Sequence, residues 1–187
     1  MSPRKGLDMP TIVEAAAQIA DESGIEEVTL ASLAQKLGIR SPSLYNHVNG
    51  LGGLRAQLAL HGLKKLTEAL TVAVEGREGD ERMHALAAAY MTFARTHPGL
   101  YELTLRAPGE DDAEHSAAAA ELLELLVQAL AFYELDREKS IHIVRGFRSY
   151  LHGFASIERQ GGFGLPQSVD ESIKLVLQTY LAGLRQL

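Results

Sequence analysis

The chain has 187 residues, 46% of them apolar, with no cysteine and a formal net charge of −6. Such a length suits one large domain or two small ones sharing a core. The lack of cysteine excludes disulfides, thiolate catalysis and cysteine-based metal sites. No apolar run approaches the roughly 18 residues of a membrane span, and no charged-then-apolar leader is seen, so a soluble, cytoplasmic protein without a membrane partner is expected. Alternation is scarce and Ala, Leu, Glu and Gln are abundant, which predicts an all-α fold. The charge is uneven. Residues 1–66 hold seven Lys/Arg against six Asp/Glu, and the remainder eleven against eighteen, so a near-neutral head precedes an acidic body. That asymmetry fits a DNA-facing head, although one making few phosphate contacts per subunit.

Residues 1–9 read as a frayed terminus, where Arg4 and Lys5 could reach a phosphate or the minor groove, or simply be solvated charges. The spacing of Ile12, Ala15, Ala16, Ile19 and Ala20 predicts a first helix over Pro10–Ser23, ended by Gly24. Thr29 is a candidate N-cap for a second helix whose apolar stripe is Leu30, Leu33, Ala34 and Leu37, and Gly38 can close it in the left-handed conformation. Ile39 follows as a buried plug. Ser41 is a second N-cap candidate, with Pro42 at the first helical position of a third helix. Leu44 and Val48 turn inward there, leaving Ser43, Tyr45, Asn46 and His47 outward or sideways. Gly50, Gly52 and Gly53 then interrupt the pattern. Two short helices joined by a sharp turn make a helix-turn-helix, whose second helix enters the major groove. By spacing alone, a hairpin inside an ordinary helical bundle fits equally well.

The wording of this stretch goes further. TIVEAAAQIADESGIEEVTLASLAQKLGI followed by SPSLYNHVNGLGGL closely resembles the DNA-binding domain of tetracycline-repressor-like (TetR family) regulators over about residues 8–60. The resemblance implies an N-terminal three-helix helix-turn-helix domain over residues 1–54, and a C-terminal ligand-binding and dimerisation domain over 55–187, about nine helices in all. One departure is Leu51, where the family commonly has a phosphate-contacting lysine; Arg55 or Lys64 could supply that contact instead.

A fourth helix is predicted from Leu51 to Val74, roughly 36 Å long. Shared by both modules, it is either a mechanical link between them or a plain structural helix. A polar linker, EGREGD, leads to a fifth helix over Glu81–Thr96, stopped by His97-Pro98-Gly99. A short sixth spans Leu100–Arg106, and RTHPGLY resembles the turn many TetR members have there. After the loop APGEDD, an Ala/Leu-rich seventh helix over Ala113–Tyr133 has apolar residues on more than one face and is expected to be central. The eighth covers Arg137–Arg159. Ser168, with Glu171 three residues on, is a capping-box start for the ninth, which runs to about Arg185. RSYLHGFASIERQGGF resembles a TetR subgroup with a Trp/His/Gly motif; His152 and Gly153 stand here, no Trp exists in the chain, and Tyr150 takes the aromatic place.

The enzyme classes find no support. HExxH, P-loop, GxSxG and strand-linked GxGxxG motifs are absent. The seven histidines (47, 61, 84, 97, 115, 142 and 152) form no i, i+3 or i, i+4 ligand pair, and no metal or cofactor is expected. Within the head, Tyr45 and His47 can donate to phosphate oxygens. Arg40, Ser41, Ser43 and Asn46 are the base-edge candidates, Pro42 can touch a thymine methyl, and Thr29 sits at the adjoining helix start. For the body, the resemblance implies a homodimer through the eighth and ninth helices and a pocket for a small-molecule effector. Tyr90, Phe93, Tyr101, Tyr133, Phe147, Tyr150 and His152 are its candidate lining, each equally readable as core. The expected function is a ligand-responsive repressor binding a pseudo-palindromic operator. The alternative is a helical small-molecule-binding or protein-interaction module with a vestigial helix-turn-helix.

Overall fold

The computed structural model describes residues 7–109 and 112–187; Arg4 and Lys5 lie outside them. The elements are α1 (Met9–Ser23), α2 (Leu30–Leu37), α3 (Gly50–Val74), α4 (Gly79–Thr96), α5 (Pro98–Leu103), α6 (Ala113–Ala129), α7 (Arg137–Arg159) and α8 (Val169–Leu184). Three 3-10 segments stand between them, at Ile25–Glu27, Ser41–Asn46 and Ala131–Tyr133. Every regular element among the described residues is helical, which agrees with the all-α expectation.

The chain gathers into two compact units. The first holds residues up to Lys64 together with Thr96–Ser116, and the second holds Lys65–Arg95 and Ala117–Leu187. These units cut the chain differently from a single division at residue 54, because α5 joins the first unit by packing on α1. The physical cause is close approach plus hydrogen bonding. A Cβ on Gly99 would stand 2.2 Å from the Ala20 carbonyl oxygen, so only glycine admits the two backbones. Asp21 Oδ1 accepts the Gly99 and Leu100 N–H groups, each at 3.0 Å, and Oδ2 pairs with His97 Nδ1 at 2.8 Å. One carboxylate thus satisfies orphan donors at the start of α5, where negative charge is favoured. Ile12, Ala16, Val28, Leu33, Leu44, Leu54, Leu58 and Leu100 fill this unit's core.

In the second unit, α4 and α8 run antiparallel, and a polar latch marks each end. At one end Arg95 donates from Nε and Nη2 to Glu158 of α7 at 2.8 and 2.9 Å, and from Nη2 to Asp170 of α8 at 2.6 Å. At the other, Asp80 accepts from the Tyr133 hydroxyl at 2.7 Å and from Arg185 at 2.5 Å. The helices α7 and α8 are antiparallel as well, since Tyr180 donates to the Ile143 carbonyl and Tyr150 to that of Ile173. Met83, Leu86, Val144, Phe147, Leu151, Ile173, Leu177 and Leu181 make the core.

One expectation needs correction here. The helix expected to be central ends early, at Ala129, and continues only as the 3-10 turn Ala131–Tyr133. Its Leu122, Leu123, Leu125 and Leu126 are half-buried, because a helix with apolar residues all round exceeds what neighbours in one chain cover. The helix predicted from Leu51 to Val74 is found as α3, which Gly50 opens, with Gly52 and Gly53 in its first turn.

Asp80 also gives a pH prediction. Burial works against its charge, but the Tyr133 hydroxyl and the Arg185 guanidinium hold the carboxyl below its ordinary 3.8. A depressed carboxyl contributes stability above its unfolded value, and that contribution is lost as pH falls through the folded one. The Asp80→Asn variant should therefore show a flatter decline of stability below about pH 4 than the parent, read from urea midpoints along an acid series.

Candidate nucleic-acid interface

The candidate surface begins at a well-built cap. The Thr29 hydroxyl accepts from the Ser32 N–H and the Ser32 hydroxyl from the Thr29 N–H, both at 3.0 Å. Ser rather than Glu closes this reciprocal box. Thr29 is exposed, with its hydroxyl engaged in the cap. At the other end of α2, Gly38 takes φ 65°, ψ 31°, the left-handed conformation expected of it. The Ile39 N–H then bonds back to the Ala34 carbonyl at 3.0 Å, which makes the turn sharp. Ile39 is half-buried.

The third element is 3-10 rather than α. The Ser43 N–H bonds to the Arg40 carbonyl and the His47 N–H to the Leu44 carbonyl, both at 2.9 Å. Ser41 lies inside the segment and makes no cap; Arg40 is the flanking residue, without a side-chain bond. Six residues that include two serines and an asparagine have weak α preference, and Pro42 fixes the first-turn φ that either helix accepts. The 3-10 geometry fixes which side chains align. In a 3-10 helix, side chains three apart eclipse. Arg40, Ser43 and Asn46 therefore form one line and Pro42 and Tyr45 another, and Leu44 lies on the line that turns inward. Burial agrees within the segment: Leu44 is buried and Ser41 half-buried, whereas Arg40, Pro42, Ser43 and Asn46 are exposed and Tyr45 is 64% exposed; beyond it the rule lapses, with His47 exposed and Val48 buried. All seven candidates of this segment thus lie on one short stretch held from beneath by two apolar anchors.

Its electrostatics are set by which cations remain available. Lys36 pairs with Glu22 at 3.4 Å and Arg55 with Glu26 at 3.1 Å. Arg55 is thereby drawn toward the 3-10 segment Ile25–Glu27, which weakens it as the substitute for the lysine missing at Leu51. Lys64 is exposed. Arg40 is exposed too, and directly precedes the 3-10 segment Ser41–Asn46.

Comparison with known proteins decides the identity. Residues 83–180 match the family model described as the tetracyclin repressor-like C-terminal domain. The chain belongs to the TetR family. It is 41% identical over 185 residues to YobS, an uncharacterised HTH-type transcriptional regulator of Bacillus subtilis, covering 98% of this chain and 96% of that one. An uncharacterised HTH-type regulator of Mycobacterium tuberculosis is 35% identical over 156 residues, 83% of this chain and 72% of that protein. Among solved structures, a Rhodococcus protein of unknown function superposes with a TM-score of 0.83 at 25% identity, over 99% and 100% of the two chains. A single-substitution variant of TetR from Acinetobacter baumannii, solved in complex with minocycline, gives 0.72 at 20% over 96% and 97%. This TetR-family protein is a DNA-binding transcriptional regulator and not an enzyme.

The candidate effector residues are dispersed. Tyr90, Phe93 and Phe147 are core side chains of the second unit, and Tyr101 is buried in the first. Tyr133 is fixed by Asp80, which, after burial, helps raise its phenol above the usual range. Tyr150 is fixed by the Ile173 carbonyl, and burial raises its phenol to about 12. His152 is half-buried. None of the seven lines the cavity of about 620 Å³ between α4 and α8, whose walls include His84, Met91, Arg95, Asp170, Lys174 and Leu177. These wall residues carry no aromatic or motif signal; they meet only because the latches at Arg95 and Asp80 set α4 against α8. No described helix is long and apolar enough to cross a membrane.

Proposed function

We propose that this regulator is a cytoplasmic, ligand-responsive repressor that binds a pseudo-palindromic operator as a homodimer. The observation that carries the DNA half of the reading is the exposed segment Arg40–His47 anchored by buried Leu44 and Val48. Arg40, Ser43 and Asn46 read base edges from one line, with Pro42 against a thymine methyl. Ser41 stays a base-edge candidate beside that line, and Tyr45 and His47, with Thr29 at the adjoining helix start, set the register on phosphates. The dimer forms through α7 and α8. Supporting this, Leu175 and Val176 of α8 are 61% and 46% exposed and Ile157 of α7 is 45% exposed, on helices that bury apolar residues on their other faces. The effector enters the body; Tyr90, Phe93, Tyr133, Phe147, Tyr150 and His152 remain its candidate contacts there, with the α4–α8 cavity as a further place, whereas Tyr101 belongs to the first unit. Its binding favours a state in which the two reading segments no longer match major grooves about 34–36 Å apart.

The test is an anisotropy titration against DNA upstream of the protein's own gene. Specific binding that weakens steeply with salt is expected; equal affinity for every fragment would sink the proposal. Asn46→Ala should cost about 1–3 kcal/mol of specific affinity and relax discrimination at one base position, with thermal stability unchanged. Tyr45→Phe should weaken specific and nonspecific DNA alike. A vestigial helix-turn-helix would leave both variants at parental affinity.

A further inference from the structure

The cavity of about 620 Å³ in the second unit is an open cleft between α4 and α8, and none of the seven aromatic and histidine candidates lines it. One stripe of each helix builds it. On α4 the lining recurs at three- and four-residue steps from His84 to Arg95, and on α8 from Asp170 to Gln178. At about 1.5 Å per residue, the α4 stripe is roughly 16 Å long. The floor is close-packed core, since Ala87, Met91, Ile173 and Leu177 are all buried. The surface that a guest meets is made by Ala88, Thr92, Lys174 and Gln178, all exposed. Lys174 and Gln178 bring alkyl stems to it, and the small side chains at Ala87 and Ala88 leave the space. The volume falls within the roughly 300–1,000 Å³ of small-molecule sites.

The charges decide what can enter. Arg95 closes one end and is answered twice, by Glu158 at 2.8 and 2.9 Å and by Asp170 at 2.6 Å. Lys174 stands 4.0 Å from Glu171 at the same end. Two cations there face three carboxylates, so an anion finds no surplus of positive charge. A cation fares no better, because Asp170, the one carboxylate in the described lining, is already held by Arg95. At the other end His84 lies within electrostatic reach of Asp80, and Asp80 is bound by Tyr133 and Arg185. Taking a charge out of water without a partner is costly. An uncharged molecule has no such loss, and its apolar face covers Ala88 and the two alkyl stems.

We propose that the α4–α8 cleft is an effector site of this regulator and that it takes an uncharged, largely apolar small molecule. The assignment deepens the ligand-responsive reading and rests on it. It also gives occupancy a route along the chain. Arg95, which ends the cleft, is separated by Thr96 alone from His97, whose ring pairs with Asp21 of α1. A guest that loosens the hold of Glu158 and Asp170 on Arg95 frees the last turn of α4, and with it the residues that lead into α5.

N-phenylnaphthylamine, uncharged and fluorescent in apolar surroundings, is a suitable probe on the full chain without DNA. Anilinonaphthalene sulfonate, the same frame with an anionic group, is its comparison. One molecule of the amine per chain is expected, and the methyl resonance of Met91, assigned from Met91→Leu, should shift with the same saturation. Ala88→Trp and Gln178→Trp fill the cleft from opposite walls at exposed positions, so melting temperatures should stay near the parental one. Each should weaken the amine by about tenfold or more, because the indole takes the guest's place. The sulfonate should bind the parent more weakly than the amine. Parental affinity in both tryptophan variants, or a Met91 signal unmoved at saturation, overturns the site. Sulfonate binding as tight as that of the amine overturns the uncharged assignment. These readouts involve no operator, so their failure leaves the operator titration standing, whereas a chain that takes the amine in the cleft and binds no operator sinks the repressor reading alone.

Discussion

Gly99→Ala should destabilise the first unit by about 3 kcal/mol or more, at the upper end of what overpacking costs. The added methyl would stand 2.2 Å from the Ala20 carbonyl oxygen, 2.3 Å from its carbon and 2.7 Å from its Cβ. Two of these obstacles are backbone, which cannot rotate aside as a side chain does. Relief requires α5 to withdraw from α1, and withdrawal breaks the bonds from the Gly99 and Leu100 N–H groups to Asp21. The Asp21 carboxylate, only part-exposed, would then face a weakened partner set. For a chain of this size, the loss corresponds to a fall in melting temperature of roughly 6–12 °C. Asp21→Asn keeps the shape but surrenders the charge that suits the start of α5, and should lower stability by a smaller amount, about 1 kcal/mol. A Gly99→Ala protein that melts with the parent would show that α5 is not held in this way.

Much of this architecture was legible because it is local. The stripe Leu30, Leu33, Ala34, Leu37, the left-handed Gly38 and the inward Leu44 and Val48 all follow from spacings of a few residues. The bounds of α7 at Arg137 and Arg159 match the predicted ones, and the Ser168 hydroxyl accepts from the Glu171 N–H as a cap should. What was not legible is what distance along the chain conceals. The pairing of His97 with Asp21 spans 76 residues, and that of Arg185 with Asp80 spans 105. Each residue alone reads as an ordinary surface charge. The assignment of Tyr90, Phe93 and Phe147 to the core could not come from periodicity either, because lining and core share a helix face. The 3-10 character of Ser41–Asn46 escaped for a different reason. Proline at the start of a short segment is welcome in both helix types, and the outcome turns on a difference of one hydrogen-bond register.

Leu175→Glu should turn a dimer into a monomer without unfolding it. Leu175 is 61% exposed in the single chain, while Ile173 and Leu177 on either side are buried against the rest of the second unit. The substitution therefore leaves the chain's own core alone, and its cost there is that of a surface change, within about 0.5 kcal/mol. Across an isologous interface the same patch meets its own copy, so two new carboxylates approach each other in an apolar, water-poor setting. The neighbouring cation on α8, Lys174, already lies 4.0 Å from Glu171. Light scattering should report the 20.3 kDa of one chain in place of twice that mass. Operator affinity should fall by about 100-fold or more, because the second half-site is then bound without the advantage of linkage. The thermal midpoint in dilute solution, where the parent also dissociates, should stay close to the parental one. A Leu175→Glu protein that remains dimeric would put the twofold contact elsewhere than this face of α8, and affinity lost without loss of the dimer would point to an altered tilt of the reading segments instead.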